Sequence, residues 1–127
     1  IAFSSCDYDP DANLEPLRSY VVKIVKQVLN DGLPKGVCLN VNFPIGDSFK
    51  GIKVCRMGYG SWTKETLRCE HPKGFSYYWL LGQYHNDEPT ATDTDHYALQ
   101  NGYISVTPTR IDITDYDVLD KLKAWEQ

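Results

Sequence analysis

The densest grouping of potential metal ligands in this 127-residue chain is Asp93, Asp95 and His96. Two carboxylates and an imidazole could serve a hard divalent cation. Asp93 and Asp95 stand two apart, however, so they would diverge on a helix, and no second ligand set follows at a motif spacing. The run Thr92-Asp93-Thr94-Asp95 is also what a helix start needs, because a short polar side chain can accept from the orphan N–H groups of the first turn. Helix capping is therefore preferred to metal binding here. His71 precedes a proline in a turn and His85 lies in a polar stretch, and neither has a nucleophile at a recognisable spacing. Both read as solvated surface residues rather than general bases. Ser4 and Ser5 lack the Gly-x-Ser-x-Gly surroundings of a strained nucleophile turn. Gly58-x-Gly60 lacks the remaining glycine and the following helix of a phosphate cradle, so it reads as a turn.

The aromatic residues carry more information. Tyr77, Tyr78 and Trp79 are consecutive, and successive side chains of a strand point to opposite faces, so this strand must show aromatics on both sides. If one face meets the core, the other needs a partner. A subunit interface is the first reading because Tyr and Trp are enriched there; a fully sandwiched core strand comes second and a ligand-stacking platform third.

Composition bounds these readings. Hydrophobic residues at 42% and charged residues at 24% fit one ordinary folded domain and exclude collagen-like, coiled-coil and disordered chains. With 13 basic against 17 acidic residues the net charge is −4, which argues against nucleic acid as a partner. No segment approaches the roughly 18 apolar residues of a membrane span. Cys6, Cys38, Cys55 and Cys69 show no Cys-x-x-Cys spacing, and Cys38 and Cys55 sit inside apolar runs. Free thiols and a reducing cytoplasm are expected. The alternative is a secreted binding module with two disulfides that stacks its aromatics on a flat ligand. The start Ile1-Ala2-Phe3-Ser4 is an apolar, β-favouring run without an initiator Met or a charged region before it, and it reads as a strand of a protein whose front is missing.

The elements that must position these residues follow from periodicity. Leu14, Leu17, Val21, Ile24 and Val28 form one helical stripe, with Asp11 or Asn13 as the expected cap, Pro16 tolerated in the first turn, and Asn30-Asp31-Gly32 as the end. Strands are expected over 37–43, stopped by Pro44, then over 52–57, over 75–81 and over 103–108. Residues 61–73 and 84–93 read as polar loops, and the first, with 75–81, reads as half of a long hairpin. A short helix should run from the Thr-Asp repeat to Leu99, and Val118, Leu119, Leu122 and Trp125 mark a terminal amphipathic helix. Helix, short connection and strand in succession give an α/β class.

In order, Val37-Cys38-Leu39-Asn40-Val41-Asn42-Phe43-Pro44, Gly51-Ile52-Lys53-Val54-Cys55-Arg56-Met57-Gly58, Tyr77-Tyr78-Trp79-Leu80-x-Gly82, Thr92-Asp93 and Gly102-Tyr103-Ile104-Ser105-Val106-Thr107-Pro108 resemble the C-terminal half of the survival protein SurE family. The resemblance implies the later strands and helices of a Rossmann-like α/β/α domain over 1–127, with a β-hairpin extension over 58–102 and a C-terminal helix that join subunits into dimers or tetramers. It implies a cytoplasmic metal-dependent phosphatase, using Mg or Mn, that acts on nucleoside monophosphates as a 5′- and 3′-nucleotidase with some polyphosphate hydrolysis. The family's Asp-Asp-Gly, Ser-Gly-x-Asn and Ser-Gly-Thr motifs are absent from this sequence, and Asp87-Glu88 and Asp93-x-Asp95 do not match them in context. The resemblance thus places no catalytic, cofactor-binding or metal-ligating residue in this chain and expects no bound metal. It leaves Tyr77, Tyr78 and Trp79 as the expected oligomer contacts.

Overall fold

The computed structural model describes residues 1–126. Strand β1 (Ala2–Ser5) is followed by helix α1 (Glu15–Asp31), which crosses over to β2 (Val37–Phe43) so that β1 and β2 pair in parallel. β3 (Ile52–Val54) and β8 (Ile104–Arg110) complete a four-stranded sheet in the order β1-β2-β8-β3, with β8 antiparallel to β2 and parallel to β3. The α/β class expected from the sequence is the architecture found.

The helical stripe packs as its spacing requires. Ile24 is buried, with Leu17, Tyr20 and Val21 around it, against Leu39, Val41, Phe43, Ile104 and Val106 of the sheet. Phe43 is the hub: its ring centroid lies 6.3 Å from Phe3 and 5.8 Å from Phe49, and Phe49 meets Tyr20 edge-on at 5.6 Å. The other strand face is small and polar, and the Ser4 hydroxyl donates to Asn42 Oδ1 at 2.5 Å. Helix α2 (Asp95–Gln100) lies against β8, where Ala98, Ser105 and Thr107 are buried. At the start of α1, Leu14 occupies the cap position without a side-chain cap bond. Asn13, one residue earlier, accepts from the Glu15 N–H at 3.1 Å instead, so the expected cap acts from just outside the helix.

Two of the expected loops are strands. β4 (Gly60–Thr63) pairs with β7 (Gln83–Asn86), and β5 (Thr66–Glu70) pairs with β6 (Ser76–Leu80), all antiparallel. The two ladders are nested, the Leu81 N–H donates to the Glu65 carbonyl between them, and the His71-Pro72-Lys73-Gly74 turn closes the end. The result is one long arm whose strands are mostly exposed on both faces, which is why no alternation of apolar and polar residues announced β4, β5 or β7. The strand expected over 52–57 leaves the ladder after Val54; Arg56 makes only an isolated bridge to Thr94.

A close approach holds the base of the arm. A Cβ on Gly60 would lie against the Tyr84 ring and 2.5 Å from the His85 carbonyl oxygen, so only glycine lets β4 sit beside β7. Gly60→Ala should push the strands apart at this register pair. The expected result is faster amide exchange in β4 and β7 with β2 and β8 unchanged; slow exchange retained throughout the arm would refute the packing argument.

Helix α3 (Tyr116–Leu122) and a following 3-10 turn (Lys123–Trp125) bear the expected apolar stripe but bury none of it. Asp115 caps α3 by accepting from the Val118 N–H, and Asp112 accepts from the Tyr116 hydroxyl.

Candidate functional site

In open α/β sheets ligands bind beyond the carboxyl ends of parallel strands. Here those ends, Ser5 and Phe43, border a cavity of about 170 Å³ lined by Ser5, Asp7, Asn13, Pro44 and Asp47 among others. The Ser5 hydroxyl accepts from the Asp7 N–H at 3.1 Å and Ser4 is engaged by Asn42, so both serines act in turn and sheet structure. The histidines lie elsewhere. His71 stacks on Phe75 at 4.3 Å in the arm, His85 stands 3.6 Å from the Asp87 carboxylate on β7, and His96 opens α2. The edge is a floor for a site rather than a complete acid–base constellation.

Asp93, Asp95 and His96 divide their roles. Thr94 is the cap of α2, its hydroxyl accepting from the Tyr97 N–H at 3.2 Å. Asp95 accepts through one oxygen from the N–H groups of Gly58 and His96, at 2.9 and 2.8 Å. Asp93 is turned to Arg56, whose Nε donates to it at 2.9 Å. These residues therefore anchor the chain around α2. A divalent metal, which the family resemblance implies, finds no fit here: among the described residues no group of three or more His, Cys, Asp or Glu is placed to hold one.

Arg56 was singled out by no motif, because its partners are Glu88 and Asp93, 32 and 37 residues away. Its pairing holds the Glu88 carboxyl down to about 2 and pulls Asp93 below the ordinary carboxylate range. A carboxylate lowered by folding contributes stability above its unfolded value, near 4.5, and loses it as the pH falls toward about 2. The base of the arm should loosen across that window. Limited proteolysis between Tyr59 and Glu88, by an acid-active protease, should speed up over the same range; constant cleavage from pH 5 to 2 would remove the argument.

The arm carries the aromatic strand. Tyr77, Tyr78 and Trp79 all lie on β6, at 39%, 63% and 58% exposure, so among the described residues no element sandwiches that strand. Trp62 meets Tyr84 edge-on at 5.6 Å, and open cavities beside Trp62 are lined by Leu80, Leu81 and Gly82. Val118, Leu119 and Leu122 of α3 are exposed as well, so the arm and α3 both present large apolar side chains to solvent. All four cysteines are free thiols, and among the described residues no helix is long and apolar enough to cross a membrane.

Fold and surface together define an α/β sheet protein with a polar carboxyl edge, extended by an aromatic arm and an undocked terminal helix. Comparison with known proteins assigns it further. A family model described as Survival protein SurE matches residues 1–64, and the chain belongs to that family. A protein of Phocaeicola vulgatus named 5′-nucleotidase SurE is 47% identical over 98% of this chain and 49% of its own length. One of the same name from Bacteroides fragilis is 42% identical over 99% of this chain and 49% of its own length. The crystal structure of the SurE protein from Aquifex aeolicus superposes with a TM-score of 0.76 at 35% identity, covering 99% of this chain and 51% of that one. The chain spans about half the length of the relatives it matches.

Proposed function

We propose that this chain is the C-terminal portion of a 5′-nucleotidase of the SurE family, a hydrolase that cleaves the phosphomonoester of nucleoside monophosphates with the help of a divalent Mg or Mn ion. The observation that carries the reading is the 47% identity, across 98% of this chain, to a relative named for that activity. Within such an enzyme residues 1–127 supply the later strands of the catalytic sheet, and the extension over 58–102, chiefly its arm, joins copies into a dimer or tetramer. The free thiols support a reducing, cytoplasmic setting. The unpaired outer edge of β1, a parallel strand, supports continuation of the sheet by a further strand.

The reaction needs groups this chain does not bring together. The carboxyl edge offers Ser5, Asp7 and Asp47 around its cavity, without a metal set and without a histidine among its lining. These residues form part of the wall against which a substrate is held, and the hydrolytic residues come from the remaining half. The purified 127-residue chain should release no phosphate above background from nucleoside monophosphates in Mg or Mn, whereas the longer protein should turn them over. Metal-dependent turnover by the purified chain, co-eluting with it through two columns, would overturn the placement of the catalytic residues. Absence of turnover by the longer protein would overturn the nucleotidase reading itself.

A further inference from the structure

We propose that Arg56 is a latch that sets the angle of the arm to the sheet. The arm joins the sheet through two segments only, residues 57–59 entering β4 and residues 87–93 leaving β7. Among the described residues, the arm's strands pack chiefly on each other, and β7 meets α2 through the Tyr84–His96 stack. Arg56, where β3 ends, reaches both connecting segments at once. Its fork donates to Glu88 Oε2 and Oε1 at 2.8 and 2.7 Å, its Nε to Asp93 at 2.9 Å, and Nη1 also to the Met57 carbonyl at 3.3 Å.

Glu88 is itself tied to the incoming segment. It accepts from the Tyr59 N–H at 2.8 Å, and its own N–H donates to the Asn86 side chain at 2.8 Å. The Asp87 N–H donates to the Tyr59 carbonyl at 3.1 Å, while Arg56 exchanges backbone bonds with Asp93 and Asp95 at 3.1 and 3.0 Å. One guanidinium therefore locks the entering strand, the leaving strand and the α2 approach to the end of β3. A second contact joins the arm to the same region: Tyr84 of β7 stacks on His96 of α2 at 4.4 Å and 18°.

A single exposed ion pair contributes little to folding. Bidentate geometry and a shared network are the exception, and here the consequence is angular. At about 3.3 Å per residue, the roughly 12 residues from Gly60 to the turn span on the order of 40 Å. A change of about 10° at the base would then move the aromatic tip by roughly 7 Å, more than an interface of close-packed side chains tolerates. Arg56 is thus a positioning residue for the surface that carries Tyr77, Tyr78 and Trp79. Its use in assembly rests on the proposed role of the arm; the latch itself does not.

Hydrogen exchange by mass spectrometry on the full-length protein tests it. Arg56→Gln and Glu88→Gln should each speed exchange about tenfold in peptides covering 57–63 and 83–94, with peptides of β2 and β8 unchanged. Arg56→Lys should fail to restore protection, because an ammonium cannot span both carboxylates as a fork does. Unchanged exchange at the arm base, an equal acceleration throughout the sheet, or full protection in Arg56→Lys would overturn the latch. Sedimentation of the same variants separates the two readings: loosened arms with an unchanged oligomer would sustain the latch while removing the assembly role.

Discussion

Phe43→Ala should cost about 3–5 kcal/mol of folding free energy, the range for emptying a fully buried aromatic position. Phe43 is 1% exposed and touches three separate parts of the chain: Phe3 of β1, Phe49 in the connection to β3, and the stripe of α1. Its register partner Ser5 is the last residue of β1. The ring therefore supports the carboxyl edge from beneath, and losing it removes the packing that fixes where Ser5 and Pro44 meet the cavity. Domains are stable by only about 5–15 kcal/mol, and the buried hydrophobic cluster here is small, so this variant is expected to sit near its unfolding threshold. Urea denaturation checks it, with the midpoint falling at unchanged slope. Phe43→Leu keeps most of the volume and should cost less than about 1.5 kcal/mol, providing a folded companion for comparison. A loss below about 1 kcal/mol for Phe43→Ala would mean that the edge does not depend on this core.

The sheet was legible where burial imposes a period. Leu17, Val21 and Ile24 lie on the side of α1 that meets the core because steps of three and four keep a stripe on one face. Val41 and Phe43 alternate with Asn40 and Asn42 because one face of β2 packs under α1. The arm obeys no such rule. β4, β6 and most of β5 are exposed on both faces, so hydrogen bonds rather than burial define them; of the three only β6 was legible, through its strongly β-forming Tyr77-Tyr78-Trp79 run, while β4 and β5 carry no such run. Tyr84 to Asn86 read as loop because the stretch is polar, although Tyr84 ties that strand to both Trp62 and His96. Around α2 spacing showed the helix start but not the partners of its acidic residues. The Thr-Asp repeat did mark a helix start, but only Thr94 caps it; Asp93 was claimed by a guanidinium too far away in sequence for any local pattern to show. The ordered motifs from Val37 to Pro108 identified the family, and under the proposed function the reactive groups would come from the part of the relatives' length that this chain does not span.

On the proposed role of the arm in joining copies, Tyr78→Asp and Trp79→Asp together should weaken self-association of the full-length protein by at least about 100-fold, equivalent to roughly 3 kcal/mol, because aromatic anchors dominate interface energies and an unpaired carboxylate cannot be buried beside them. The two residues stand on opposite faces of β6, and neither face is covered by another element of this chain. Folding of the sheet should be untouched, since these side chains take no part in its core. Sedimentation velocity at several concentrations reads the effect, with Lys73→Asp at the turn as the charge control. An unchanged sedimentation coefficient in the double variant would remove the arm from the interface. The single variants carry the sharper information. If the arm is clasped on both sides by partner copies, Tyr78→Asp and Trp79→Asp should each dissociate the assembly. If it lies along one partner, only one of them should, and the identity of that residue names the buried face.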